Sequence, residues 1–456
     1  MQPQKLGKYS MTENDAKLLE QLREQFDFGP YPKTPLDVDP KTFPGRLYTN
    51  HLTTAYYLRN QKVINSQNKT ILDVGCGSGF TSLILAEANP EAKIIGIDIS
   101  EKSIELAKKR AEYFNKQDQC EFFLVSVDDI PSLSWDFDYI NCDEVLYLLP
   151  NPLQALKIFK KKLKPSGIIR TNLHSAAQRV GMYNFQKFFS MLGLMDKNTN
   201  DDDIKFALEI VHCLKDNVPT KTKTWSPDYD KDPASRKEFF LCNYLLKGDK
   251  GYNVQDMFNL LHQSNLEFIS MVNWRQWQWL DLFKEPDNLP VALGEHFAQS
   301  SPEEKLRVFE LLSPIHRLLD FWCGHPGEGE PFLPVSQWLD EDWQGAKIYL
   351  HPQLNTEKVR TGLKNACRSL QDFTISEYLP IAGGVPTSID VTIAACVLPP
   401  LWEAPQSLNQ LIQRWKTLRP INLATLEPTT DSEALTVLKS TLTGLEAYGY
   451  VLLERG

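Results

Sequence analysis

The sequence predicts an α/β protein built on a doubly wound, largely parallel sheet, with a helical N-terminal cap, an insertion and an additional α+β C-terminal region. Three observations predict it. From Thr70 onward short apolar runs alternate with amphipathic helical stretches, the pattern of strands joined by crossover helices. The first apolar run ends at three alternating glycines. The alternation then breaks in a polar, acidic stretch and resumes after it.

Taken in order, residues Thr12 to Phe26 carry a helical pattern, and Pro30, Pro32, Pro35, Pro40 and Pro44 stop it, because proline lacks a backbone donor and restricts its predecessor. A second helix is expected from Leu52 to about Ile64, with Tyr48, Asn50 and His51 just before it, so residues 1–65 read as an N-terminal cap over a ligand. A strand from Thr70 to Val74, a helix from Phe80 to Ala88 and a strand from Lys93 to Ile97 follow. Ser100 then caps a helix with Ile104, Ala107, Ala111 and Phe114 on one face. Further strands are expected at Glu121 to Val125, Tyr139 to Cys142 and Gly167 to Asn172, and a helix from Arg179 to Leu194, closing a sheet domain at 66–195.

Residues 196–250, with Asp201-Asp202-Asp203 and Ser226-Pro227-Asp228, read as an irregular acceptor-side insertion. A helix at Gln255 to Gln263 and a strand at Leu266 to Val272 open a segment, 251–350, that completes the sheet and then turns helical; Gly324-His325-Pro326-Gly327 marks a boundary region. The last unit, 351–456, ends legibly: Thr430 and Glu433 have capping-box spacing, Leu435, Leu438, Leu442 and Leu445 share a helix face, Gly449 stops it, and Tyr450 to Leu453 is a strand.

Composition excludes several classes. The chain has 456 residues, 42% hydrophobic and 23% charged, enough for two or three cores. A formal charge of −9 supplies no footprint for phosphate backbones or anionic membranes. The run Lys160-Lys161-Lys162 with Lys164 is the solvated face of a stripe formed by Leu153, Leu156, Phe159 and Leu163. Eight cysteines stand singly, without metal-ligand spacing, as in a reducing compartment. MQPQKLGKYS lacks the apolar core of a secretion signal, and no window reaches a membrane span, so a cytoplasmic protein is expected.

The chemistry lies in Ile71-Leu72-Asp73-Val74-Gly75-Cys76-Gly77-Ser78-Gly79-Phe80, where a strand ends, glycines turn and a helix begins. Glycines here permit a tight turn and close backbone approach to a ligand. Asp98, nineteen residues past Gly79, ends the next strand, where a carboxylate can accept hydrogen bonds from both ribose hydroxyls of an adenosine. The spacing is GxGxG, unlike the GxGxxG of a dinucleotide site, and Asp73 would repel a pyrophosphate. An ammonium and a sulfonium, the charges of S-adenosylmethionine, suit that carboxylate. A nicotinamide-dependent oxidoreductase and a non-catalytic S-adenosylmethionine-binding scaffold are the alternatives.

ILDVGCGSGF, IIGIDIS, VSVDDIPSLSWDFDYI, DEVLYLLPNPLQAL and LKPSGII resemble the ordered motifs of class I S-adenosylmethionine-dependent methyltransferases, with a Rossmann-like domain similar to the ubiquinone and menaquinone C-methyltransferase branch. The resemblance covers about 66 to 175 and 255 to 272. It implies Asp73, Gly75, Cys76, Gly77 and Gly79 around the methionine moiety, Asp98 on the ribose and Ile99 near the adenine. Family members usually carry an aspartate at the end of the third strand; Ser126 stands there, so either Asp128 takes its place or backbone groups hold the adenine.

The resemblance also places Asn141, Cys142, Asp143 and Glu144 toward the methyl group and the acceptor. Asp143 is a candidate base, and helix capping ahead of Val145 is its structural alternative. His174, after the fifth strand, is the best-placed histidine for acid/base work. Tyr147 and Tyr183 are pocket or core residues. Trp274, Trp277 and Trp279 are either an aromatic cage or inter-domain packing, the latter favoured by the area tryptophan buries. The expected reaction is methyl transfer to an O, N or C nucleophile, on a small molecule in preference to a protein; the acceptor and oligomeric state are unread.

Overall fold

The computed structural model describes residues 12–328, 332–381 and 386–456. The ten N-terminal residues read above for a secretion signal lie outside them. β1 (Thr70–Val74), β2 (Lys93–Asp98), β3 (Cys120–Leu124), β4 (Phe137–Cys142) and β5 (Leu163–His174) run parallel in the order β3-β2-β1-β4-β5. Two strands from later in the chain finish the sheet: β7 (Leu318–Gly324) lies antiparallel beside β5, and β6 (Glu267–Met271) pairs with β7 at the edge.

Alternation along each strand sends neighbours to opposite faces. Ile71, Tyr139 and Ile168 pack with α3 (Leu52–Asn60), α4 (Phe80–Ala88) and α5 (Glu101–Tyr113). Leu72, Ile140 and Ile169 pack with α6 (Pro152–Lys162) and the helix Val254–Ser264. Burying each such side chain stabilises the fold by about 1.5–3 kcal/mol. Strand order reverses between β1 and β4, which opens a crevice beyond their carboxyl ends. Over it lies α1 (Glu13–Phe28), whose capping box pairs Thr12 with Asp15.

The structure departs from the sequence reading in three places. Residues 196–250 are helical, with helices Asp201–Cys213, Pro219–Thr224 and Pro233–Phe239 around a core of Ile204, Val211, Phe239, Phe240 and Tyr244. The acidic run that looked like solvated loop is a first helical turn, capped by Asn200 and favoured by the helix dipole. β7 comes from a stretch read as helical; its run LLDFWCG carries apolar residues on both faces, with Asp320 its one charge, because it enters the sheet interior between β5 and β6. Finally, the last unit starts upstream of 351. Val335, Trp338, Trp343 and the strand Lys347–Leu350 belong to its core, and that strand is central in a three-stranded sheet with Gln406–Ser407 and Val451–Glu454.

Tyr48, Asn50 and His51 sit against the sheet and the last unit. Tyr48 belongs to that unit's core, His51 meets His351 ring to ring at 5.4 Å, and Thr54 Oγ1 lies 2.9 Å from His351 Nε2. Burial pushes the His51 pKa down to about 4 and His351 well below its ordinary value, so this junction is held by neutral imidazoles.

Candidate functional site

The glycine turn leaves the end of β1 and is fastened to its surroundings at each step. Cys76 N donates to Ile97 O at 2.9 Å, and Gly77 N to Asp98 Oδ2 at 2.9 Å. Ser78 N and Oγ reach the carbonyls of Tyr31 and Pro32 at 2.8 and 2.7 Å. Gly77 has φ +52°, and a Cβ there would stand 2.1 Å from Tyr31 O, so only glycine lets the N-terminal arm lie on the turn. Gly79 caps α4 against α5, with Ala107 Cα 2.7 Å from where its Cβ would be. Arg110 holds the arm down through the carbonyls of Thr34, Pro35 and Ser78.

Between this turn, α1 and the residues following β3 and β4 is a cavity that opens to solvent. Gly75, Gly77, Asp98, Ile99, Ser126, Asp128 and Asp143 line it. Asp98 closes the end of β2 and accepts Ser100 N on Oδ1 at 2.8 Å and Gly77 N on Oδ2. Each oxygen keeps lone pairs toward the cavity. Ser126 Oγ donates to Asp129 Oδ2 at 2.8 Å, and Asp128 stands at the exposed rim. Leu19, Leu22 and Phe26 of α1, with Tyr31, Leu148 and Leu149, form apolar walls.

Five of the anticipated site residues are not on the cavity wall. Gly79 works in packing, and Cys76 is buried against β2. Asp73 is buried beneath the turn, accepting from Ser82 Oγ at 2.5 Å and Asn141 Nδ2 at 2.8 Å, and Asn141 is consumed in that contact. β-alternation explains it: Val74 faces the cavity, so Asp73 faces the other side. His174 is likewise buried and off the wall.

Burial pushes the Asp73 pKa from 3.8 up to about 6, against the hydrogen bonds from Ser82 and Asn141. A carboxyl raised in the folded state contributes stability while protonated, and that contribution is lost as pH rises through about 6. Asparagine can accept from Asn141 and donate to Ser82 in the same place. Asp73→Asn is therefore expected to remove about 3 kcal/mol of stability loss between about pH 4 and pH 7. Denaturant titrations of both proteins at the two pH values check this, and parallel pH dependences would refute it.

Residues 65–227 match a family model described as a methyltransferase domain. Over those residues the chain carries a methyltransferase domain. Asp98 with free lone pairs, glycines at the turn and apolar walls fit an adenosine bearing a cationic amino-acid arm. An uncharacterised protein of Synechococcus sp. is 27% identical over 70% of this chain and 73% of its own. A ubiquinone biosynthesis O-methyltransferase of Coxiella burnetii is 31% identical over 34% of this chain and 66% of its own. The fold is shared with PKMT2 from Rickettsia typhi in complex with AdoHcy, at TM-score 0.57 and 19% identity, over 93% of this chain and 77% of that one.

On the acceptor side of this methyltransferase, Asn172 at the end of β5 organises the loop after β4. Its Oδ1 accepts Glu144 N at 2.9 Å and its Nδ2 donates to Asp143 Oδ1 at 2.6 Å. Neither acid caps a helix; the cap of α6 is Asn151. Glu144 holds φ +62°, a conformation that side chains rarely adopt and that costs about 1–3 kcal/mol. It lines the cavity, pairs with Arg317, and accepts from Tyr147 OH at 2.8 Å. Burial opposes its ionisation, but hydrogen bonds from His174 and Arg317 prevail and hold it well below the usual carboxylate range.

Behind Glu144 lies a buried relay. Tyr147 stacks on His174 at 3.6 Å, His174 Nδ1 meets Asp249 Oδ1 at 2.7 Å, and Asp249 Oδ2 accepts from Arg179 at 3.0 Å and Gln186 at 2.9 Å. Sequence reading missed Tyr31, the α1 stripe, Asn172, Arg317 and Asp249. Leu19, Leu22 and Phe26 do show helical spacing; the others carry no local signal. The three tryptophans form no cage: Trp274 stacks on Tyr48, Trp277 on His316 and Trp279 packs on Phe297. Tyr183 is packed beside Arg179, and His325 Nε2 lies 3.1 Å from Leu163 O.

Proposed function

We propose that this methyltransferase seats the cofactor ribose on Asp98, the methionine moiety over Gly75 and Gly77, and the adenine between Ile99, Ser126 and Asp128, and methylates an O, N or C nucleophile of a small molecule entering beside Asp143 and Glu144. The observation that carries this is one cavity in which Asp98, the glycine turn and the Asp143–Glu144 loop all face each other. Enclosure by α1 and the arm favours a small acceptor over a folded protein. The cofactor supplies an electrophilic methyl group on a sulfonium.

The chain's own work is alignment and exclusion of water. Leu19, Leu22 and Phe26 cover the cavity, and Asn172 fixes Asp143 where it can receive a proton from the nucleophile. His174 acts as a positioning residue, setting Glu144 from behind. A cytoplasmic location is part of the same reading: eight unpaired cysteines suit a reducing compartment, and no helix among the described residues is long and apolar enough to cross a membrane. A net charge of −9 speaks against nucleic acid as a partner.

The test is methyl-labelled S-adenosylmethionine with cell extract separated into small-molecule and protein fractions. Label is expected in the small-molecule fraction, and its transfer is expected to fall about 10²-fold or more in Asp143→Asn. Label confined to protein overturns the acceptor class; undiminished transfer by the variant overturns the role of Asp143.

A further inference from the structure

A second cavity, open to solvent, lies on the other face of the sheet, where β5, β6 and β7 meet α2 (Pro44–Thr49) and the last unit. Its floor is Arg170, fixed by Asp320 at 3.2 and 2.8 Å and by Asn50 at 3.2 Å. Arg46 and Arg275 also line it, and neither forms an ion pair with a carboxylate among the described residues. Arg46 donates to Thr81 Oγ1 at 3.2 Å and lies 5.4 Å over the Phe80 ring. Arg275 lies 4.6 Å over the Tyr448 ring, and its Nε is enclosed without a hydrogen-bond partner.

Three cations therefore face one lining carboxylate, Asp320. A guanidinium is a fork of donors suited to carboxylate or phosphate oxygens, and a part-buried one without such a partner forgoes its strongest hydrogen bonds. The remaining wall includes the half-buried Trp274, whose ring stacks on the buried Tyr48 at 6.3 Å. We propose that this cavity, at the seam between the sheet domain and the last unit, binds an organic anion by its carboxylate or phosphate, with Arg46 and Arg275 as the recognising side chains. The site is distinct from the cofactor cavity but adjoins it: Arg170 Nη2 is 3.6 Å from Asp143 Oδ1, which lines the other side.

Calorimetric titration of the full chain with inorganic phosphate and with benzoate tests this. Saturable binding of either probe is expected, weakened tenfold or more in Arg46→Gln and Arg275→Gln. Tighter benzoate binding identifies a carboxylate with an apolar body, and tighter phosphate binding a phosphate ester. S-adenosylmethionine binding retained in both variants shows that they are folded, and anion binding retained in Asp98→Ala shows that the two cavities are separate. No saturation by either probe up to about 10 mM, or equal binding in an Arg46→Gln/Arg275→Gln double variant, overturns the proposal. Failure of the cofactor placement would appear instead in the S-adenosylmethionine titration.

Discussion

Replacing Asp98 with alanine is expected to weaken S-adenosylmethionine and S-adenosylhomocysteine binding by about 10²–10³-fold. The carboxylate is proposed to accept both ribose hydroxyls, and a hydrogen bond to a charged group contributes about 1.5–3 kcal/mol. The same oxygens hold Gly77 N and Ser100 N, so alanine also releases the glycine turn on which the methionine moiety is proposed to lie. Asp98→Asn keeps the size and one acceptor and should fall between wild type and alanine. Burial raises the Asp98 pKa, so cofactor affinity should also decline as pH falls toward the carboxylate range. Calorimetry on the three proteins decides it; alanine affinity within threefold of wild type would remove Asp98 from the site.

The second large effect is on stability. Asp249→Ala is expected to cost about 3–5 kcal/mol, because it leaves Arg179 buried beside His174 with its carboxylate partner gone. Burial opposes ionisation of Asp249, but His174, Arg179 and Gln186 prevail and depress its pKa. A depressed carboxyl contributes stability above its unfolded pKa, near 4, and loses it as pH falls through the folded value. The gap between wild type and variant should therefore be full at neutral pH and close in acid. Denaturant titrations at several pH values measure it. Because the relay holds Glu144, Asp249→Asn, which keeps hydrogen bonds but not charge, should preserve more folding than methyl transfer. Equal loss of both would assign the relay to stability alone.

Much of the cofactor side was legible because it is local. A strand, three glycines and an acid at the next strand's end lie within Ile71 to Asp98, and each is a direct demand of a tight turn beneath a ligand. The parallel pairing of β1 to β5 followed from the alternation of periods, since parallel strands require crossover helices. The acidic run at 201–203 misled because helix starts and solvated loops share a composition.

What the sequence by itself determined is the class of sheet, the glycine turn and the acid that ends β2. Only the tertiary structure decided that Val74 and not Asp73 faces the cavity, since a one-residue change of parity inverts every side chain of a strand. It also decided that β7 slips between β5 and β6, and that Glu144 meets Arg317 across 173 residues while His174 meets Asp249 across 75. Such pairs are made by the folding of distant segments onto one end of a sheet, and no local spacing records them.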